Sequence, residues 1–155
     1  MNDDLARAIA TQCGVALRPA SDDGIRQLQA LGIPDDAITF YRQAEPAECA
    51  EIEKIRLWPI KRVAEENTDY VPGCYTQPYG YVVFATTFFG DTYCFDLNSG
   101  TSSATAPIVL LSHEMIGDET TKEEVGRLAK KMAPDFPSFL EAFVAGKLDM
   151  TPNYE

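Results

Sequence analysis

Residues 88–100 read FFGDTYCFDLNSG. Taken one way, Asp91 and Asp96 are a carboxylate pair for catalysis or metal binding. Taken the other way, TYCFD is a β-strand between two turns. The geometry of an extended chain separates the two readings. Five residues at ~3.3 Å each put the two carboxylates about 16 Å apart, and an odd separation sends them to opposite faces. Carboxylate pairs of glycosidases stand at roughly 5–9.5 Å. Asp91 is therefore read as a turn residue after Gly90. Asp96 is read as the end of a strand, accepting hydrogen bonds from the next turn.

Outward from this stretch the strand signal continues. YVVFAT (81–86) is rich in β-branched and aromatic residues, TFFGD (87–91) is a turn, and IVLLSH (108–113) is a third strand after the connection NSGTSSATAP. A hairpin centred near Ser102 sets Cys94 opposite about residue 110 and His113 opposite about Asp91. The lone histidine thus gains an acid as neighbour, and an Asp91–His113 hydrogen bond at the sheet end is expected. His113 also begins SHEMIG, which fails as a zinc motif because Gly117 stands where a second histidine is needed. Ser112 faces away from His113, so no serine triad follows.

Either side of the strands the period is helical. Residues 3–12 place Leu5 and Ile9 at helical spacing, with Asn2 or Asp3 as cap. SDDGIRQLQALG (21–32) has Ser21 as N-cap, two aspartates at the positive end of the dipole, and Gly32 as its stop. IPDDAITFYRQA (33–44) has Pro34 at a first helical position, with Ile38 and Tyr41 or Phe40 as its buried stripe. EPAECAEIEK (45–54) reads as a short helix or a loop. IRLWPI is a short strand containing the only tryptophan, Trp58, and Pro59 opens a helical turn. DYVPGCYTQPYG (69–80) is a loop by its Pro-Gly content. Residues 120–133 place Val125, Leu128, Ala129 and Met132 on one helical face. FPSFLEAFVAGK (136–147) offers Ser138 and Glu141 as a capping box and Gly146 as a stop. Helices, then a meander of strands, then helices describe an α+β domain, read as a single domain over residues 1–155.

Composition limits the function. The formal net charge is −11, from 24 acidic and 13 basic residues. Phosphate binding needs a basic footprint, so the acidity argues against a nucleic-acid partner and against an anionic membrane. The acidity suits a basic protein partner, or simply solubility. MNDDLARAIA lacks the basic and apolar regions of an export signal, and no apolar run reaches the length of a membrane span. Cys13, Cys49, Cys74 and Cys94 are far apart, without C-x-x-C spacing, and are expected to be reduced in a cytoplasmic protein. No cofactor or metal is expected. Tyr70, Tyr75, Tyr79, Tyr81 and Phe84 read as core and loop packing, with some of the tyrosines free to line an interface.

VVFATTFFGDTYCFDLNSG followed by PIVLLSHE resembles the core of the SUKH superfamily, which includes fungal cell-wall-assembly regulators and many bacterial immunity proteins. The features carrying the resemblance are Gly90, Asp91, Tyr93, Phe95, Asp96, Val109, His113 and Glu114. Leu31-Gly32-Ile33-Pro34, Leu57-Trp58-Pro59-Ile60 and the closing helix from Phe136 to Phe143 agree. Glu45-Pro46-Ala47-Glu48 departs from the paired glycines often found there. The resemblance implies an α+β domain with a central, mostly antiparallel sheet flanked by N- and C-terminal helices. It implies no enzymatic activity. The chain is expected to be a monomer or weak homodimer. The resemblance further implies a cytoplasmic immunity protein that binds and neutralises a cognate toxin domain, often a nuclease. The alternative is a regulator or scaffold with several protein partners. An enzyme using Asp91, His113 or a cysteine is the third reading. Glu65, Glu66, Asp69 and Glu114 are candidate partner contacts, being acids near loops or strand ends. Residue by residue, each reads more readily as a solvated surface acid.

Overall fold

The stretch from Tyr81 to Leu111 forms the middle of a six-stranded antiparallel sheet. The structure is a computed structural model and describes residues 2–100 and 102–155. The chain opens with α1 (Asn2–Cys13), a short strand β1 (Leu17–Arg18), α2 (Asp22–Ala30) and α3 (Asp35–Ala44). β2 (Glu45–Pro46) pairs with β1 in a separate two-stranded ladder. The main sheet follows: β3 (Ala50–Ile52), β4 (Ile55–Leu57), then α4 (Ile60–Thr68) and a short α5 (Gly73–Thr76). β5 (Tyr81–Thr87), β6 (Thr92–Asp96) and β7 (Ile108–Leu111) continue it. After α6 (Lys122–Leu128), β8 (Lys130–Ala133) closes the far edge and α7 (Phe136–Ala145) follows. The strand order is the sequence order, β3 to β8, a pure meander. The α+β architecture is the one expected.

Side-chain alternation gives the sheet two different faces. Leu57, Ala85, Tyr93 and Leu110 sit side by side across four strands. With Phe84, Phe95 and Ile108 they meet Ile9, Leu28, Phe40, Tyr41, Phe136, Phe139 and Phe143 of the helices in one core. Phe136 is its hub, with ring centroids 5.5 Å from Phe40 and Phe84 and 5.7 Å from Phe95. On the other face Val83, Cys94, Val109 and Leu111 are covered by Ile116, Val125 and Leu128. That cover stops short of β4 and the nearby part of β5.

At the end of β4 the chain leaves the sheet for α4, and β5 loses its neighbour. Asn67 takes that place. Its Oδ1 accepts from the Val83 amide at 2.8 Å, and its Nδ2 donates to the Val83 carbonyl at 2.8 Å and to the Val63 carbonyl at 2.8 Å. A buried side-chain amide thus satisfies strand backbone that would otherwise go unpaired. α5 packs close behind: a Cβ on Gly73 would stand 1.9 Å from the Glu66 carbonyl, so only glycine fits.

Several local expectations need correction. Residues 45–54 are not helical, and only 47–49 form a loop, between two strands. They supply β2, β3 and a tight turn in which Glu53 (φ 50°) and Lys54 (φ 68°) are left-handed. The segment 69–80 contains helical turns rather than open loop. Helix 120–133 stops at Leu128, because Ala129 turns extended and Lys130–Ala133 pairs with the edge of β7. Pro34 is the N-cap of α3, not its first helical residue. The capping box lies at Thr121 and Glu124. α7 is instead capped by Asp135, whose carboxylate accepts from the Ser138 amide at 2.9 Å. Asp3 lies within the first turn of α1, and the Asn2 side chain lies outside the described residues.

Candidate functional site

The two aspartates of the opening stretch have separate structural partners. Asp96 ends β6, and its carboxylate accepts from the Asn98 amide (3.0 Å) and the Ser99 hydroxyl (2.7 Å). Asp91 is buried at the other end. Its Oδ1 accepts from the His113 amide at 3.0 Å and lies 2.7 Å from His113 Nδ1. The expected Asp91–His113 contact is therefore present. Gly90, with φ 98°, lets the turn pass beside the imidazole: a Cβ there would stand 3.5 Å from the ring. Tyr93 is fully buried and donates its hydroxyl to the Asp149 carbonyl at 2.7 Å, tying the C-terminal segment to the sheet.

Cys94, the thiol nearest this pair in sequence, is sealed. Burial pushes it up to about 12, with the charges of Asp96 and Glu66 adding to the rise against a Thr92 hydrogen bond. It has no thiolate to offer near neutrality. Cys13 and Cys49 are also raised, chiefly by burial. All four cysteines are free thiols. Among the described residues no three His, Cys, Asp or Glu side chains converge where a metal could bind, and no helix is long and apolar enough to cross a membrane.

The open half of the second face is a groove of about 200 Å³. Arg56 and Trp58 project from β4 and its end, Thr86 from β5, Arg62, Glu66 and Tyr70 from α4 and the turn after it, and Phe88 from the β5–β6 turn. The walls are braced. Trp58 Nε1 donates to Thr86 Oγ1 at 2.8 Å. Arg62 is stacked between Trp58 (4.6 Å) and Tyr70 (4.4 Å), and its Nε donates to Glu66 at 2.7 Å. Arg56 lies 5.0 Å over Phe88, and its Nε donates to Glu51 at 3.0 Å. Phe88, Phe89 and Val71 are each more than half exposed. Exposed apolar side chains beside stacked arginines are the composition of a protein contact, enriched in Trp, Tyr and Arg. The volume is below the roughly 300–1,000 Å³ of pockets that enclose a small molecule. Two larger hollows meet at Glu45 and Lys61 and have no exposed aromatic.

The sequence-derived acids distribute unevenly around this groove. Glu66 lines it but is 5% exposed and spent on Arg62, so it is not a surface acid open to a partner. Glu65 is half-buried on α4, and Asp69 is exposed at its C-terminal end. Glu114 is exposed just past His113, whose ring neighbours Gly90 at the groove border. Arg56, Arg62 and Phe88 were missed by sequence reasoning. Trp58 and Tyr70 carried a signal as the lone tryptophan and an interface-prone tyrosine, but nothing in their spacing joins them.

A family model described as SMI1 / KNR4 family (SUKH-1) matches residues 19–142. The chain belongs to this family. The match runs from just before α2 into α7, so it takes in the whole SUKH-1 sheet and every residue of the groove. Comparison with curated proteins and with solved structures gives no significant match.

Proposed function

We propose that this SUKH-1 protein is a non-enzymatic protein-binding module that neutralises a toxin domain in the cytoplasm. The observation that carries the reading is the groove, where Trp58, Arg62, Tyr70 and Phe88 stand ready-made on a half-covered sheet face. Its aromatic and arginine side chains are the types that dominate binding energy at protein interfaces. The net charge of −11 favours a basic partner such as a nuclease, with Asp69 and Glu114 as exposed acids and Glu65 a half-buried one on α4. Steering by such charge speeds association and weakens as salt rises. A regulator with several weak partners is the other role within the family resemblance, and the strong acidity gives it no specific support.

The test is a rescue assay. The C-terminal domain encoded by the neighbouring upstream reading frame is induced in a test bacterium, with and without this protein. Restored survival is the expected result. Loss of rescue in a Glu65→Lys, Asp69→Lys double variant that still folds would place the contact on the α4 side. A toxic neighbour that this protein fails to counter would overturn the immunity role.

A further inference from the structure

Arg56 and Arg62 are each gripped at one end. Their Nε atoms donate to Glu51 and Glu66, and their planes rest on Phe88 or between Trp58 and Tyr70. Among the described residues no Nη atom of either arginine donates to a protein group. The Nη atoms hold four of the five N–H donors of a guanidinium. Stacking has already fixed them, so little side-chain freedom remains to be lost on binding. Both arginines line one groove, together with the exposed apolar side chains of Phe88 and Val71.

We infer that the groove captures a carboxylate side chain, Glu or Asp, from an apolar segment of a partner protein; this rests on the protein-binding reading above. The planar donor fork matches a carboxylate with two parallel hydrogen bonds. Glu51 and Glu66 largely balance the two arginines in charge, so the attraction comes from hydrogen-bond geometry on a partly desolvated platform rather than from a local positive field. A nucleic-acid phosphate offers similar oxygens, but its backbone would bring further negative charge against a protein of net charge −11. The consequence is an interface of mixed sign: exposed acids around the groove meet basic groups of the partner, while the groove takes an acid from it.

The full chain is titrated with acetyl-Leu-Glu-Phe-amide and with acetyl-Leu-Gln-Phe-amide, following the Trp58 indole N–H and the Arg56 and Arg62 Nε–H signals by NMR. Trp58 is the only tryptophan, so its signal is unambiguous. The expected result is saturable shifts at these signals with the Glu peptide, and binding about tenfold weaker with the Gln peptide. Arg56→Gln and Arg62→Lys should each weaken the Glu peptide about tenfold. Arg62→Lys keeps a cation beside buried Glu66 and so keeps the fold, which circular dichroism checks. Equal binding of the two peptides, no saturable shift, or tighter binding of a short oligothymidylate at these signals overturns the inference. A whole protein partner whose affinity ignores both substitutions overturns it too, while leaving the binding-module reading intact. Failure of the wild-type chain to bind any toxin domain would instead count against that reading.

Discussion

The helix-covered face of the sheet and the open half of its other face use aromatic residues in opposite ways. On the helix-covered face Phe84, Phe95, Phe136 and Phe139 are at most 1% exposed and pack edge-on or tilted against one another. On the other face Trp58, Tyr70 and Phe88 stack on arginines and stay open to solvent in part or in large measure. The first arrangement gains from removing apolar area from water. The second holds apolar area in reserve, steadied by guanidinium planes that also keep it wettable. The same residue types therefore stabilise the fold on one side and remain available for contact on the other.

The largest expected effect tests the closed face. Phe136→Ala removes the hub of the ring cluster and should cost about 3–5 kcal/mol in chemical denaturation. A loss below about 1 kcal/mol would mean that the helices repack freely and that the face is less closed than drawn. Asn67→Ala comes next. It leaves the buried Val83 amide and carbonyl unpaired, and should cost about 3 kcal/mol, with faster hydrogen exchange at Val83. Phe88→Ala should change stability by no more than about 0.5 kcal/mol, because the ring is mostly exposed. If it unfolds the protein, the open face is structural after all and the contrast fails.

The smallest effect concerns acid. Hydrogen bonds from Lys130 and from the Thr151 amide hold the Asp149 carboxyl below its ordinary value. A lowered carboxyl contributes stability that is complete above its unfolded pKa and is lost as pH falls through the folded one. The pair is exposed and screened, so the loss should stay within about 0.5 kcal/mol. It should appear as acid-induced release of the segment after Asp149 in NMR spectra, and should shrink in Lys130→Met, which leaves only the Thr151 amide bond.

Much of the fold could be read from residues 81–111, because alternation, turn residues and hairpin symmetry agree there. Cys94 pairs with Val109, one residue from the expected position, and His113 meets Asp91. β3 and its pairing with the expected strand at 55–57 were hidden because the turn between them uses Glu53 and Lys54 in left-handed conformations, where glycine or asparagine normally gives the signal. β8 was hidden because Lys130–Ala133 continues a helical spacing, with no glycine or proline between Leu128 and Pro134 to mark an earlier stop. Pairing with β7 overrides that local preference. The groove was hidden for a different reason. Its walls come from β4, α4 and the β5–β6 turn, and only the chain path through Pro59 brings Trp58, Arg62 and Phe88 together. The accessibility expected for Glu66 failed because it lies on the packed side of α4 with Val63 and Asn67, where Arg62, one helical turn earlier, pairs with it.

Asn67 has a mechanical consequence. One wall of the groove rides on α4 and the other on the sheet, and this single amide clamps the two together at Val83. The width of the opening is then set before any partner arrives, like a gauge rather than a jaw. A guest must match that width on first encounter, so capture should proceed in one kinetic phase without a slower closing step.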